Sequence, residues 1–481
     1  MYTSTRSKMK VTSSNAIING IASDGGLFYP ESISKVDLNN LLEKNYKEIA
    51  NVILKEFLDD FDEKDIKDII DRAYDEKFDT PNVVEIKKCS DAYFLELFHG
   101  PTLAFKDVAL SILPLLMEKS KEMNNVKENT VILTATSGDT GSAALSGFYH
   151  SNNTSMVVFY PTDGISKIQE NQMLSFRNDL LHPIALKGNF DDAQSFVKEV
   201  FNNQEMIKYL KEKNIILSSA NSINIGRLIP QVVYYFYSYI DLYKIGEIKL
   251  FEKVNFVVPT GNFGNILAAY IAKEMGLPIN KLICASNENN VLTNFFNEKV
   301  YDKNRPFFKT LSPSMDILIS SNLDRLLYSI YRDERVVCSL MKDLKEKGSY
   351  KLPNDNNALD IFYADFATEQ ETLEAIKAVY EKDQYLIDTH TAVAYSVYEK
   401  YVKKTNDNTK TVIASTASPL KFPKAVCKAL CMDYTKDEFD LINDLTNKAQ
   451  LNTSSIAKLN KEFKKVVWEK EQAYKQLKEL L

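Results

Sequence analysis

Lys106 is the residue whose surroundings ask for an explanation. It stands in the stretch LELFHGPTLAFKDVALSILPLLMEKS, residues 95–120. At helical spacing it shares one face with Leu103, Ala109, Leu110 and Leu113. That face is apolar. A lysine desolvated in an apolar wall has its charged form disfavoured, so its pKa falls. The neutral amine can then attack an aldehyde and form a Schiff base. The competing reading is a lysine whose stem covers apolar surface while its ammonium reaches water.

Three further stretches carry donors suited to anions. PTGNFGN, Pro259 to Asn265, lies between an apolar run and a helical pattern. Gly261 and Gly264 let backbone approach a ligand closely, and the helix N-terminus behind them favours negative charge. A purely structural glycine turn is the alternative. TSGDTGS, Thr136 to Ser142, repeats the arrangement and adds the hydroxyls of Ser137, Thr140 and Ser142; a plain capped turn would look the same. SSANSINIGRLIPQ, Ser218 to Gln231, sets Asn221, Ser222, Asn224 and Arg227 before an aromatic-rich helix. Arg227 beside short polar donors fits a phosphate clamp, or else a surface charge. Two phosphate-like sites suggest two anionic ligands, such as a cofactor phosphate and a substrate phosphate.

The elements that must position these residues alternate in kind. Short apolar runs, AYFLELF, TVILTAT, SMVVFYP, NIILSSA, VNFVVPT, LICAS and KTVIAST, are separated by helical patterns. This is the pattern of a mostly parallel sheet covered on both faces, in which ligands gather at the C-terminal strand ends. Residues 1–90 read as helical and highly charged, with a glycine turn in ASDGGLFYP. The last stretch, from Ser454, reads as one long amphipathic helix with Ile456, Leu459, Phe463, Val467, Tyr474 and Leu477 on its apolar stripe.

Composition bounds the rest. A chain of 481 residues with 44% hydrophobic and 26% charged residues has length for two or three domains. A net charge of −6 without a dense basic block argues against nucleic acid as the partner. The five cysteines are scattered, which suits a reducing compartment. Cys427 and Cys431 stand one helical turn apart, and with four histidines in the chain they read as buried helical cysteines, not as a metal site. The N-terminus has no apolar core of a signal peptide, and no run is long enough to span a bilayer. The expected location is the cytoplasm, with no metal, nucleic acid or membrane as partner.

Several of these stretches together resemble a known family. ELFHGPTLAFKD, TATSGDTGSAA, SANSINIGR and PTGNFGNILAAYIAKEMGLP resemble, in order and spacing, the long-chain branch of threonine synthases found in enteric bacteria and fungi. TSTRS, ASDGGLFYP, SMDI, THTAVAY and STASPLKFPKAV extend the resemblance over nearly the whole chain. It implies an α/β protein of the tryptophan-synthase-β class, fold type II of the pyridoxal-phosphate enzymes. Mostly parallel sheets would form a large and a small domain behind an N-terminal α/β domain. The expected division is 1–90 for the N-terminal domain, 91–129 with 225–435 for the large one, 130–224 for the small one, and 436–481 for a C-terminal helical segment.

The resemblance also implies roles. Lys106 would be the Schiff-base lysine of pyridoxal 5'-phosphate and the proton shuttle. Gly261, Asn262, Phe263, Gly264 and Asn265 would cradle the cofactor phosphate, and Thr416 would face the pyridine nitrogen. Ser137, Gly138, Asp139 and Thr140 would hold the substrate carboxylate and the cofactor ring edge. Asn221, Ser222 and Arg227 would hold the substrate phosphate. The implied reaction takes O-phospho-L-homoserine and water to L-threonine and phosphate, in a monomer or homodimer. The alternatives are a related phospho-lyase and a non-catalytic binder of the cofactor or a phosphoamino acid. His99, seven residues before Lys106, reads equally as an acid–base group or as a structural histidine. Ser418 stands where the family often has histidine, and Asp139 where the short-chain branch has asparagine.

Overall fold

The computed structural model describes all residues except 152, 153, 163, 164, 354–356 and 450. Two parallel sheets organise it. The larger has the strand order Phe362–Phe366, Ile279–Ser286, Val254–Pro259, Thr411–Ser415, Tyr93–Glu96, Glu85–Lys88. All its pairings are parallel except the last, an antiparallel edge formed by Glu85–Lys88 on Tyr93–Glu96. The smaller sheet runs Val467–Trp468, Leu181–Leu186, Thr154–Pro161, Asn129–Ala135, Ile215–Ser218, parallel throughout. The chain leaves the larger sheet for the smaller one after the helix Lys106–Met123 and returns through the helix Ile225–Lys244.

The central strands are buried on both faces, so they read as unbroken apolar runs; Val254–Pro259 is fully buried along its length. Ahead of them, Tyr2–Ser4 pairs with Lys10–Val11 and Phe28–Pro30 in a small antiparallel sheet. The helices Tyr46–Lys55 and Glu63–Ala73 follow. Ile49, Ile53, Ile66 and Ile70 seat them in the same core as the large sheet's helices. Among the described residues no helix is long and apolar enough to cross a membrane.

Three expectations are corrected. The tail is not one helix: it breaks into Ser454–Ala457, the strand Val467–Trp468 and the helix Lys470–Leu480. Ile456 and Leu459 pack with the large-sheet core, whereas Trp468 and Leu477 close the small-sheet core. The amphipathic period is real but serves two cores, and Val467, on the expected apolar stripe, is 44% exposed. Leu103 does not share a helical face with Lys106. It lies ahead of the helix with φ +60°, and Lys106 is the first helical residue. Cys431 lies past the helix Pro423–Ala429 and is exposed, so only Cys427 of that pair is a buried helical cysteine.

Candidate active site

The residues singled out by chemistry stand just past the C-terminal ends of parallel strands. Ser137 to Thr140 follow Asn129–Ala135, and Asn221 to Arg227 follow Ile215–Ser218. Gly261 to Asn265 follow Val254–Pro259, and Thr416 follows Thr411–Ser415. Lys106 comes ten residues after Tyr93–Glu96, through a loop held by Leu103 N–H on the Gly100 carbonyl and Phe105 N–H on the Thr416 carbonyl. Parallel pairing aims the strand ends within each sheet the same way, and contacts such as Lys106 with Asp139, Lys421 with Asp139 and Asn322 with Ser222 join the loops of the two sheets.

Lys106 is buried, and its neighbours Val108, Ala109, Leu110, Ile112 and Leu113 are buried with it. Its Nζ donates to Ser314 Oγ at 3.2 Å and lies 3.6 Å from Asp139 Oδ2. Burial pushes the ammonium's pKa down; Lys421 and Arg227 push the same way, against the attraction of Asp139. Asp139 shows the opposite balance. Burial alone would raise its carboxyl, but Lys421, Lys106 and His390 outweigh burial and hold it well below the usual carboxylate range.

The 259–265 turn has the shape of an anion cradle. Phe263 takes the left-handed conformation, φ +65°, and caps the helix Gly264–Glu274. Among the described residues the backbone donors of Gly261 to Asn265 have no protein acceptor. A Cβ on Gly261 would sit 2.9 Å from the Ser314 carbonyl oxygen and 3.1 Å from Met315 Cα, so only glycine leaves this backbone in place. The turn is propped from behind. Asn322 donates its backbone N–H and Nδ2 to the Asn262 carbonyl at 3.1 and 3.0 Å, and Ser320 Oγ donates to the Gly261 carbonyl at 2.7 Å. Tyr234 and Tyr235 both donate to Asn265 Oδ1, at 2.5 and 2.6 Å. This fixes the amide orientation and leaves Asn265 Nδ2 buried without a partner.

The 218–227 segment approaches the same place. Asn322 Nδ2 also donates to Ser222 Oγ at 3.1 Å, and Asn221 Oδ1 accepts from Thr134 Oγ1 at 2.9 Å. Arg227 is 3% exposed; its Nη1 donates to the Ala220 carbonyl, and its Nε is buried with no acceptor. Burial lowers its pKa to about 10, and among the described residues no carboxylate pairs with it. A buried guanidinium with an unused donor suits an anionic ligand.

Thr416 is buried, and its carbonyl receives the N–H of Phe105, the residue before Lys106. His99 is tied off on both ring nitrogens, Nδ1 to Asp79 at 2.6 Å and Nε2 to Glu96 at 3.0 Å. Burial opposes its protonation, but the two carboxylates prevail and raise its pKa to about 9. With a carboxylate on each ring nitrogen, His99 clips the segment at Asp79 to the strand at Glu96.

The sequence reading missed four residues. Ser314 bridges Lys106 and Asp139 and receives support from His390 Nε2 on its backbone N–H, 3.2 Å. His390 is oriented by Asp388 at 2.7 Å. Lys421 pairs with Asp139 at 2.9 Å, and Asn322 links both phosphate-type segments. Ser314, His390 and Lys421 each fall inside a stretch that carried the family resemblance, a signal of importance without a role. Asn322 had no local signal.

These residues fit pyridoxal phosphate on structural grounds: a desolvated lysine, a turn of free backbone donors beside a glycine with no room for a Cβ, and a buried neutral hydroxyl at Thr416. Fold and site together define a pyridoxal-phosphate-dependent enzyme of fold type II. The pyridoxal-phosphate-dependent enzyme family model matches residues 79–417, flanked by the threonine synthase N-terminus model on 1–74 and the threonine synthase C-terminal model on 391–476. The chain belongs to the threonine synthase family. It is 38% identical to threonine synthase of Saccharomyces cerevisiae over 469 residues, 89% of each chain. It is 36% identical to that of Pseudomonas aeruginosa over 437 residues, 89% of this chain and 90% of the relative. Threonine synthase-like 1 of Homo sapiens is 38% identical over 87% of this chain, which spans 58% of that longer relative. Among solved structures, pyridoxal-phosphate-bound threonine synthase from Brucella melitensis superposes with TM-score 0.87 at 34% identity, covering 100% of this chain and 99% of that one. The yeast enzyme gives 0.88 at 34%, covering 100% and 98%.

Proposed function

We propose that the chain converts O-phospho-L-homoserine and water to L-threonine and phosphate, in the cytoplasm, as a monomer or homodimer. One observation carries the reading. A buried lysine whose pKa is pushed down, free backbone donors, and an arginine with no carboxylate partner among the described residues are brought together by loops that follow strands of both parallel sheets.

Pyridoxal phosphate supplies an aldehyde for attachment and a ring that delocalises negative charge from the substrate's α carbon. The protein's residues do the rest. Lys106 is the residue that would hold the cofactor, its Nζ condensing with the aldehyde with loss of water. As a free amine it takes the α proton, and it is the residue placed to move the β proton as well. Gly261, Asn262, Phe263, Gly264 and Asn265 would bind the cofactor phosphate, and the neutral Thr416 hydroxyl would face the pyridine nitrogen without forcing it to stay protonated. Ser137, Gly138 and Thr140 would hold the substrate carboxylate, while Asp139 would lie on the side of the cofactor ring. Asn221, Ser222 and Arg227 hold the phosphate that leaves the γ carbon before water adds at the β carbon.

The domain reading that accompanies this is 1–90, 91–129 with 225–435, 130–224 and 436–481. The active site then lies between the large and small domains. The test is product analysis of the purified protein with pyridoxal phosphate and O-phospho-L-homoserine, run beside Lys106→Ala. Equal phosphate and threonine from the wild type, with neither from the variant, is the expected result. Phosphate with 2-oxobutyrate would replace the water-addition step with a phospho-lyase ending. No release from the wild type would overturn the reading in favour of a binder.

A further inference from the structure

Lys421 is 0% exposed and sits in the short turn Pro419–Lys421, after the strand Thr411–Ser415. Its Nζ has three acceptors: Asp139 Oδ1 at 2.9 Å, the Thr102 carbonyl at 2.7 Å and Gln172 Oε1 at 3.1 Å. An ammonium has three N–H donors, and here all three are satisfied. The acceptors come from three places: the loop leading into Lys106, the helix Asp139–Gly147, and the helix Lys167–Ser175. Thr102 is itself held by Asp107, next to Lys106, through its N–H at 2.9 Å and its hydroxyl at 2.6 Å.

The Asp139 carboxylate is divided unequally. Oδ1 receives Lys421 and Gln169 Nε2, at 2.9 and 2.8 Å. Oδ2 faces only long contacts, Ser314 Oγ at 3.4 Å and Lys106 Nζ at 3.6 Å. We propose that Lys421 is a positioning residue for Lys106: it draws the Asp139 carboxylate onto itself, so that Lys106 faces a neutralised anion and the substrate carboxylate is not repelled. The proposal rests on the reading of Lys106 as the cofactor-bearing lysine. Beside this pair the Asp107 carboxyl faces Lys421, and the remaining titratable groups are Arg227, against Lys106, and His390, against Asp139. Neither makes a direct hydrogen bond to Asp139 among the described residues. Lys421 is therefore the cation in direct contact that sets the balance.

The test is a pH titration of holoenzyme absorbance, which follows the proton on Lys106 Nζ while the cofactor is attached. Borohydride reduction and mass spectrometry of the Lys106 peptide run alongside. Lys421→Met leaves Asp139 to pair with Lys106 alone and is expected to move the titration midpoint upward by at least about one pH unit, a tenfold change in proton affinity. KM should rise more than kcat falls, because a carboxylate that has lost its closest cation would stand beside the substrate carboxylate. Lys421→Gln keeps hydrogen-bond donors for Thr102 and is the variant to read if Lys421→Met does not fold; it should show the same upward shift. A folded, cofactor-loaded variant with an unmoved midpoint would overturn the proposal and leave Lys421 a structural staple. Failure to trap cofactor on Lys106 in the wild type would overturn the function reading instead, whatever Lys421 does.

Discussion

Two turns in this molecule follow one plan, strand, glycine-bearing turn, helix, yet they are held in different ways. In the 259–265 turn the backbone donors are free and the support comes from outside, through Asn322, Ser320 and the Tyr234–Tyr235 pair. No acid stands in the first turn of its helix. In the 136–142 turn the support is internal. Thr136 Oγ1 accepts the N–H groups of Gly138 and Gly141, at 3.0 and 2.9 Å, and the helix opens on an aspartate. The N–H groups of Ser137, Asp139 and Thr140 have no protein acceptor among the described residues. One turn therefore leaves a run of backbone donors open, as the proposed phosphate cradle requires. The other presents a few donors beside a buried carboxylate whose charge is answered by lysines. A shared local pattern does not fix whether a helix N-terminus takes an anion from a ligand or supplies one itself.

The contrast is tested most severely at Asp139. Asp139→Asn leaves Lys421 buried without its anion, which costs about 3–5 kcal/mol when one member of a buried pair is removed. The sign with pH follows from the folded carboxyl lying below its unfolded value. Its contribution is whole above about pH 4 and is lost as pH falls further. Melting curves against pH should show the variant's deficit steady near neutrality and shrinking in acid. A variant as stable as the wild type at neutral pH would erase the distinction between the two turns. Next in size is Thr136→Val, which keeps the shape but leaves the Gly138 and Gly141 N–H groups without their acceptor. The expected loss is about 2–4 kcal/mol by denaturant unfolding. An equal loss of cofactor affinity without a loss of stability would mean that this turn, too, is mainly a ligand cradle.

How much of this could be read beforehand differs between the turns for physical reasons. The seven apolar runs are strands because a strand covered on both faces must be apolar throughout, and local composition records that. Other strands escaped, three of them for reasons that their own residues show. Leu181–Leu186 contains Pro183, which lacks a ladder donor, so the segment does not read as an interior strand. Glu85–Lys88 is largely charged because it is an exposed edge, and Phe362–Phe366 carries Asp365 near its end. The free donors at 259–265 were legible from their glycines and their place before a helix. The state of Asp139 was not, because it depends on Lys421, far along the chain, and on the closing of two sheets onto one another. Likewise the tail's apolar spacing was visible, but its division between two cores is a property of the assembled fold.

Two smaller perturbations sharpen the comparison from the side of the open cradle. Gly261→Ala places a methyl 2.9 Å from the Ser314 carbonyl, a backbone atom that cannot rotate away. Forcing it in costs about 1–3 kcal/mol. Because the same movement displaces Ser314 from Lys106, the effect should appear as roughly tenfold weaker cofactor binding, measured by equilibrium dialysis. Cofactor affinity unchanged within twofold would mean that the turn yields and that its glycine is structural only.

Tyr235→Phe is the mildest. It removes one of the two hydroxyl donors on Asn265 Oδ1 and leaves Tyr234 in place. A single neutral hydrogen bond contributes about 0.5–1.5 kcal/mol, so the melting temperature should fall by only a few degrees. If the tyrosine pair serves to aim Asn265 Nδ2 at the cofactor phosphate, affinity for the cofactor falls with it, and the double variant with Tyr234→Phe falls by more than the two singles together. This follows because one remaining donor still fixes the amide and none does not. Additive losses in stability with no change in affinity would return both tyrosines to the core and leave the backbone donors alone as the phosphate cradle.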